Sequence, residues 1–409
     1  MLDELLDIHE PKPIGAYYVA MRTFFRFLRN LIVGLFAVYI LLFSATRVIH
    51  YPEPIAAIRL GLAPASKTPT LMPFHVVEPA ASPVPWTTSK GKMPVTVNWG
   101  GTQIPFSEFL SKTSTNAFLV LRDGVITYEW YNKSTNVHTK LPSYSMAKTL
   151  TSIMIGQLIA DGKIKESDTF VKYFPQYKTG GSFDKVTIKD LLDMKAGVGV
   201  SDNYPTGPAG WGVAIAQMYA TTDLNFFLEH NRKMSWEPGT RSEYRSVDTQ
   251  MLGFIIKKVT GTTVSDYFSK HVWQPIGAQE SAFWNVDHIG GLEKTFCCFN
   301  ATARDWARVG QLILDNGAAK AESANLITIP WITRLETPAT TLDHGWGYGA
   351  QMWHPFPGTM MMLGLHGQFL FINPSTHTAI VKLSNEPTDS GNHEVLTANV
   401  LRDISVSKP

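Results

Sequence analysis

Apolar residues along the chain fall into three patterns, each predicting a different kind of element. The first is a run without charge from Asn30 to Thr46, NLIVGLFAVYILLFSAT. It is at the short end of what spans a bilayer, about 20 residues. The second is helical spacing. Met146, Leu150, Ile153, Met154, Gln157 and Leu158 recur at i, i+4, i+7 on one face, and Gly162 stands where such a helix would stop. Shorter helical stretches follow at 188–194, 222–230, 249–260 and 265–272, and another at 302–314 carries Trp306, Val309, Leu312 and Ile313. The third is the strand pattern. NAFLVLRDGVITYEWY, Asn116 to Tyr131, is two apolar runs joined at Asp123-Gly124, the signature of a β-hairpin. Four more strands are expected at 348–353, 360–363, 368–372 and 378–383, with Asn373-Pro374 as the turn between the last two. Strands, then helices, then strands predict an α/β (α+β) fold, with one sheet drawn from both ends of the chain and a helical part inserted between them.

These patterns divide the chain into segments. Residues 1–29 read as a cytoplasmic tail, because Arg22, Arg26 and Arg29 crowd its end. Residues 30–49 read as a transmembrane anchor, with Arg47 long enough to snorkel to the interface. A secretory signal peptide and a buried core helix are the competing readings; the long charged stretch ahead of the run and the poor small-residue site at Phe43-Ser44-Ala45 favour the anchor. Residues 50–110 carry Pro52, Pro54, Pro64, Pro69, Pro73, Pro79, Pro83 and Pro85 and read as a tether or an arm wrapped on the surface. Residues 111–409 hold the main domain, its helical subdomain at about 150–330.

Composition narrows the function classes. With 409 residues, 44% of them hydrophobic, a sizeable core is available. Lys plus Arg number 36 against 34 for Asp plus Glu, and a net charge of +2 with mixed signs leaves no electrostatic footprint for nucleic acid. The two cysteines, Cys297 and Cys298, are adjacent. Neighbouring cysteines have poor geometry for bridging each other and these are not spaced as metal ligands, so they are expected to be small strand or loop residues. His-Glu-x-x-His, Gly-x-Ser-x-Gly and the phosphate-binding glycine loop are all absent from the sequence. No metal and no cofactor is expected.

Three short segments carry candidate chemistry. Ser145-Met146-Ala147-Lys148 is a Ser-x-x-Lys motif in the first turn of the expected helix, where the dipole favours an oxyanion and an amine lies within reach of the hydroxyl. By itself it is weak, since roughly one such match is expected by chance in a chain this long. Tyr244-Arg245-Ser246 is a Tyr-x-Ser, and Gly364-Leu365-His366-Gly367-Gln368 is a glycine-flanked turn whose backbone can pass close to a ligand. Tyr204 and Trp211, in a glycine-, proline- and aromatic-rich loop at 197–212, are candidates to line a pocket.

In this order and spacing the three segments resemble the serine β-lactamase and penicillin-binding-protein superfamily, in its class C-like branch, over roughly residues 111–400. IKDLLDMKAGVG at 188–199, EPGT at 237–240, NATARDWARVG at 300–310 and GLHGQ at 364–368 are most similar to the 6-aminohexanoate-dimer hydrolase group. The resemblance implies a β-lactamase-like antiparallel sheet flanked by helices. It implies Ser145 as the acylated nucleophile, Lys148 as general base or as the group that keeps the base deprotonated, Tyr244 as the group that shares that proton and protonates the leaving group, and the backbone N–H groups of Ser145 and Leu365 as the oxyanion hole. Ser246, His366, Gly364, Gly367, Tyr204 and Trp211 would contact substrate. One departure stands out: the family's Lys-Thr-Gly is replaced, with Met362 and Leu363 where Lys and Thr would stand. The cation that would hold a β-lactam carboxylate is then missing unless His366 substitutes. The expected function is a membrane-anchored serine hydrolase acting on a small-molecule amide or ester. The alternatives are a β-lactamase, a D-alanyl-D-alanine carboxypeptidase or a penicillin-binding sensor. The catalytic domain would lie on the outer side of the membrane.

Overall fold

The computed structural model describes residues 14–203, 214–319, 325–387 and 391–407 and divides into two units, residues 1–58 and 59–409. In the first unit one long helix runs Ile14–Val48, and a second, Pro54–Leu62, begins before the unit ends. At about 1.5 Å per residue the 35 residues of the long helix extend about 52 Å. It therefore takes in Arg22, Arg26 and Arg29, and the described part of the expected tail, from Ile14 on, is helical rather than a separate segment. The stretch Tyr17–Val48 has a mean hydropathy of 2.1 in its most apolar window, none of which is buried. By length and composition it is a candidate membrane span or signal sequence. After it, Glu53 accepts the backbone N–H groups of Ile55 and Ala56 at 3.0 and 2.8 Å, and the Tyr39 hydroxyl at 3.0 Å.

The second unit is built on a nine-stranded sheet. Third from one edge is Thr115–Arg122, TNAFLVLR, which pairs antiparallel with Val125–Tyr131 on one side and Thr378–Ser384 on the other. The hairpin turn at Asp123-Gly124 has both residues left-handed (φ 48° and 78°), the two-residue geometry that matches strand twist. Both faces of the strand are buried: Leu119 and Leu121 join one core, Phe118 and Val120 the other. That is why it reads as a continuous apolar run and not as an alternating one. Beyond Thr378–Ser384 the sheet continues through Gln368–Asn373, Met360–Gly364, Met352–His354 and Gly347–Gly349. The expected strand at 348–353 is thus a tight hairpin, turned by left-handed Ala350 and Gln351.

The proline-rich arm is more than a wrap. Thr87–Thr88 adds a parallel edge strand to the main sheet, so the sheet is not wholly antiparallel. Phe74–Val77 joins Ala282–Asn285, Phe299–Ala301 and Leu141–Pro142 in a second, four-stranded sheet. Thr96–Trp99 and Thr102–Pro105 form a separate hairpin.

Helix Ala303–Leu314 packs on one face of the main sheet, with Thr302 capping its first turn at Asp305 N–H. Helix His393–Val406 covers the other face, and the Arg122 guanidinium donates to its last carbonyls, Ile404 O (2.5 Å) and Ser405 O (2.9 Å). The inserted helical part is led by Ala147–Ala160 and Ser246–Thr260, which pack against each other. Phe299, fully buried, lies where the second sheet meets this body. Its ring meets those of Phe268, Trp273, Trp284 and Trp306 at centroid distances of 5.1 to 5.6 Å. Phe299→Ala leaves a cavity that four large rings cannot all collapse into. A loss of about 3–5 kcal/mol is expected, read as a lowered urea midpoint with an unchanged slope.

Candidate active site

Ser145 is delivered by a backbone that other elements hold on both sides. Ser143 N–H donates to Phe299 O at 2.9 Å, and Met146 N–H closes a turn on Ser143 O at 3.2 Å. Between them Tyr144 adopts φ 44°, a left-handed conformation that costs a non-glycine residue about 1–2 kcal/mol. Tyr144 is fixed by ring contact with His366 (4.9 Å between centroids) and by its hydroxyl against Thr68 Oγ1 at 3.3 Å. Such strain persists only where the surroundings over-determine it. Ser145 follows in a 3₁₀ turn, Tyr144–Met146, that runs straight into helix Ala147–Ala160. Its side chain therefore stands at the positive end of that helix, partly exposed while its neighbours are buried.

Lys148, on the first turn of the helix, is 1% exposed. Its Nζ lies 2.9 Å from Ser145 Oγ, 2.9 Å from Ser246 Oγ and 2.9 Å from Phe296 O. Burial lowers its pKa to about 8, with the carboxyls of Asp202 and Asp248 pulling the other way. Roughly one molecule in ten then carries the neutral amine at pH 7. A neutral amine beside a hydroxyl is what can take the hydroxyl's proton.

Tyr244 and Ser246 reach the same point because the chain there is extended. Arg245 has φ −140° and ψ 112°, so its neighbours share one face and its own side chain takes the opposite one. The Arg245 guanidinium is locked on that opposite face, with Ser235 Oγ at 3.0 Å, Glu243 Oε1 at 3.0 Å and the Trp236 ring at 4.0 Å, and it also bonds Val198 O. On the near face the Tyr244 ring lies 4.9 Å from Lys148 Nζ, stacked on Trp353 and edge-on to Tyr348. Ser246 begins helix Ser246–Thr260 instead of capping it from outside; Arg245 is the cap residue.

The third segment is the turn between the paired residues Gly364 and Gln368. His366 and Gly367 are left-handed (φ 63° and 76°). A Cβ on Gly364 would sit 2.2 Å from Ser143 O, so the strand end that carries Leu365 passes directly against the Ser145 segment. Gln368 builds the turn from inside: its Nε2 donates to Leu365 O (3.2 Å), His366 O (2.9 Å) and Ser384 O (2.8 Å). His366 Nδ1 lies 2.7 Å from Glu386 O, and burial lowers the ring's pKa, leaving a neutral imidazole. His366 therefore does not replace the missing cation. Met362 is buried. The nearby cation is Lys382, two strands from Met362 and fully buried, with Ser384 Oγ at 2.6 Å and Glu386 Oε2 at 3.9 Å.

Ser145, Lys148, Tyr244 and Ser246 thus converge, and the Gly364–Gly367 turn lies beside them. Tyr204 and Trp211 fall outside the described residues. Sequence reasoning missed Asp202, whose two carboxylate oxygens accept from Ser246, the Phe296 carbonyl, and Trp353 under Tyr244. It also misjudged Cys297 and Cys298, which are joined by a disulfide. Their Cα atoms are 3.8 Å apart, closer than bridged cysteines usually stand. The backbone turn that brings the sulfurs together is imposed from outside: Trp284 Nε1 holds Cys297 O at 2.8 Å, and Asn285 N and Asn300 Nδ2 hold Cys298 O. Among the described residues no three His, Cys, Asp or Glu side chains are grouped as metal ligands.

Residues 108–402 match the β-lactamase family model. The chain belongs to the β-lactamase family. A curated relative, the 6-aminohexanoate-dimer hydrolase of Paenarthrobacter ureafaciens, is 28% identical over 74% of this chain and 81% of its own length. An Escherichia coli protein provisionally named a D-alanyl-D-alanine carboxypeptidase is 23% identical over 58% of this chain and 66% of its own. Among solved structures, a Bacillus anthracis protein provisionally named a 6-aminohexanoate-dimer hydrolase superposes with a TM-score of 0.73 at 24% identity, covering 87% of this chain and 94% of that one. At that identity the match speaks for the fold.

Gly364→Ala tests the contact between the turn and the Ser145 segment. The added methyl must displace a backbone oxygen, so a loss of about 1–3 kcal/mol is expected, measured as a lowered melting temperature.

Proposed function

We propose that this serine hydrolase cleaves a small amide or ester through an acyl-enzyme on Ser145. The observation that carries the reading is the buried Lys148 amine 2.9 Å from Ser145 Oγ, with its pKa brought down to about 8. In this mechanism Ser145 Oγ attacks the substrate carbonyl and its proton passes to Lys148 Nζ. The oxyanion is met by the N–H groups of Ser145 and Leu365, each donor contributing about 3 kcal/mol. Tyr244, beside Lys148, protonates the departing amine or alkoxide and recovers a proton from the Lys148 ammonium, so that both groups return to their starting state. Water then cleaves the ester on Ser145, with the same groups running in reverse. Ser246, Gly364 and Gly367 shape the cleft, and His366 lines it as a neutral group.

The relationship to 6-aminohexanoate-dimer hydrolase supports a small amide as substrate. The buried Met362 and the neutral His366 weigh against a site that grips a β-lactam carboxylate. The helix Ile14–Val48 fits a single-pass anchor, with Arg22, Arg26 and Arg29 on the cytoplasmic side and residues 59–409 outside.

A fluorophosphonate probe followed by peptide mass mapping is expected to label Ser145, and Ser145→Ala to abolish the adduct while the melting temperature holds. An adduct on another residue would overturn the assignment. Lys148→Ala is expected to lower kcat on a chromogenic ester by on the order of 10³-fold. Because the neutral amine is the active form, kcat/KM in the parent enzyme should rise with pH and level off above about 8. A profile flat from pH 6 to 9 would remove Lys148 as the base. For the anchor, a membrane-impermeant protease added to intact cells should digest residues 59–409; protection of that part would place it inside.

A further inference from the structure

The three oxygens around Lys148 Nζ are not equivalent. Phe296 O is a carbonyl and can only accept. Ser145 Oγ and Ser246 Oγ are hydroxyls, and each could donate or accept. A neutral amine has two N–H bonds and one lone pair. Which neighbour the lone pair faces depends on where the two hydroxyl protons point.

Asp202 decides this for Ser246. Its Oδ1 accepts Ser246 N–H at 2.7 Å and its Oδ2 accepts Ser246 Oγ–H at 2.6 Å. A serine hydroxyl has one proton, and this one is committed to the carboxylate. Ser246 Oγ must therefore present a lone pair to Lys148, and both N–H bonds of the neutral amine are taken, one by Ser246 Oγ and one by Phe296 O. The lone pair is left facing the third neighbour, Ser145 Oγ–H. Without the carboxylate, the Ser246 hydroxyl could turn and donate to the amine, filling the lone pair that Ser145 needs.

We infer that Asp202 is a positioning residue for the acylation step, orienting the Lys148 lone pair toward Ser145 by fixing the proton of Ser246. The inference rests on the acyl-enzyme reading above. When Ser145 Oγ bonds to the substrate carbonyl carbon, its O–H bond breaks and the proton completes the ammonium on Lys148. That ammonium then has three N–H bonds and three oxygen neighbours. Asp202 makes two short bonds to one residue with its two oxygens, an arrangement that fits the ionised carboxylate.

Other charges face this pair. Asp248 is buried on the first turn of helix Ser246–Thr260, and burial pushes its carboxyl well up toward the neutral form. Burial pushes the Asp202 carboxyl up as well, while Lys148, the two hydrogen bonds from Ser246 and the Arg245 guanidinium pull it down; Arg245 is engaged by Glu243, which also accepts from Ser201 Oγ at 2.8 Å. Tyr244 lies on Lys148 and Tyr348 on Tyr244. Among these groups only Asp202 contacts Ser246 Oγ directly with a carboxyl oxygen.

The test uses the full chain, fluorophosphonate labelling of Ser145 and hydrolysis of p-nitrophenyl acetate. Asp202→Asn places an amide N–H₂ where an acceptor stood, so the Ser246 proton is released. The expected result is a fall in labelling rate and kcat on the order of 100-fold, with KM changed less than about threefold. The acidic limb of the kcat/KM profile should also move down by about one pH unit, because a negative charge that favours the lysine cation is gone. A purely structural role would lower activity without moving that limb, and so would overturn the inference, as would parent-like rates. Ser246→Ala provides a second reading should Asp202→Asn not fold. It deletes the relayed hydroxyl, so its labelling rate is expected to fall on the order of 100-fold, and parent-like labelling there would also overturn the inference. Where both single variants fold, the double variant should be no slower than the slower of them, and losses that multiply count against the relay. If the parent enzyme itself fails to label at Ser145, the acyl-enzyme reading fails; if it labels and the variants match it, only the role of Asp202 does.

Discussion

The site depends on one buried nitrogen. Holding a lysine side chain away from water is unfavourable for its charged form, and the cost is relieved when the amine is neutral and its hydrogens are placed. At Lys148 burial brings the neutral form within reach, and three parts of the chain each bring an oxygen to 2.9 Å to take the hydrogens. Helix Ala147–Ala160 carries the amine and begins beside Ser145. Helix Ser246–Thr260 packs across it and brings Ser246. The segment that leads to Phe299 brings the Phe296 carbonyl and, three residues later, enters the second sheet. The core that packs these elements together is also what removes water from the nitrogen, so stability and chemical competence come from the same contacts.

The sheet contributes by position. Strand end Gly364 passes so close to Ser143 O that no side chain fits between them, and the turn that follows is tied down by Gln368 from below. On the other side Ser143 N–H bonds Phe299 O. Tyr144 is thereby held left-handed between two sheets, and Ser145 stands out from a buried neighbourhood. Met362 is buried, and Lys382 lies beneath the turn, bonded to Ser384 Oγ with Glu386 close by.

Much of this was legible in the residues. The hairpin at Asp123-Gly124, the strands at 360–364, 368–373 and 378–384, and the helices that start near Ser145 and Thr302 follow from local rules of period, turn chemistry and capping. The Ser-x-x-Lys and Tyr-x-Ser motifs were legible because helix and extended-strand geometry alone put Ser145 with Lys148, and Tyr244 with Ser246, on shared faces. The long apolar helix was visible as well, although its extension back through Arg29, Arg26 and Arg22 was hidden, because a helix tolerates arginines and an apolar-run criterion does not.

Other features arose only when distant segments met. Asp202 sits in a loop without periodicity, and nothing local distinguishes it from a solvated aspartate until Ser246 is packed against it. The Phe296 carbonyl is a backbone atom, and backbone atoms leave no mark in residue identity. The Cys297–Cys298 bridge needs a turn that Trp284, Asn285 and Asn300 impose, where spacing alone argued against it. The arm at 74–88 became strands because open sheet edges were there to receive it. The sequence by itself determined which elements form and which side chains each presents, since those depend on neighbours within a turn or two. Tertiary packing decided the protonation state of Lys148 and the direction of its lone pair, since both depend on water excluded, and oxygens supplied, by residues far away along the chain.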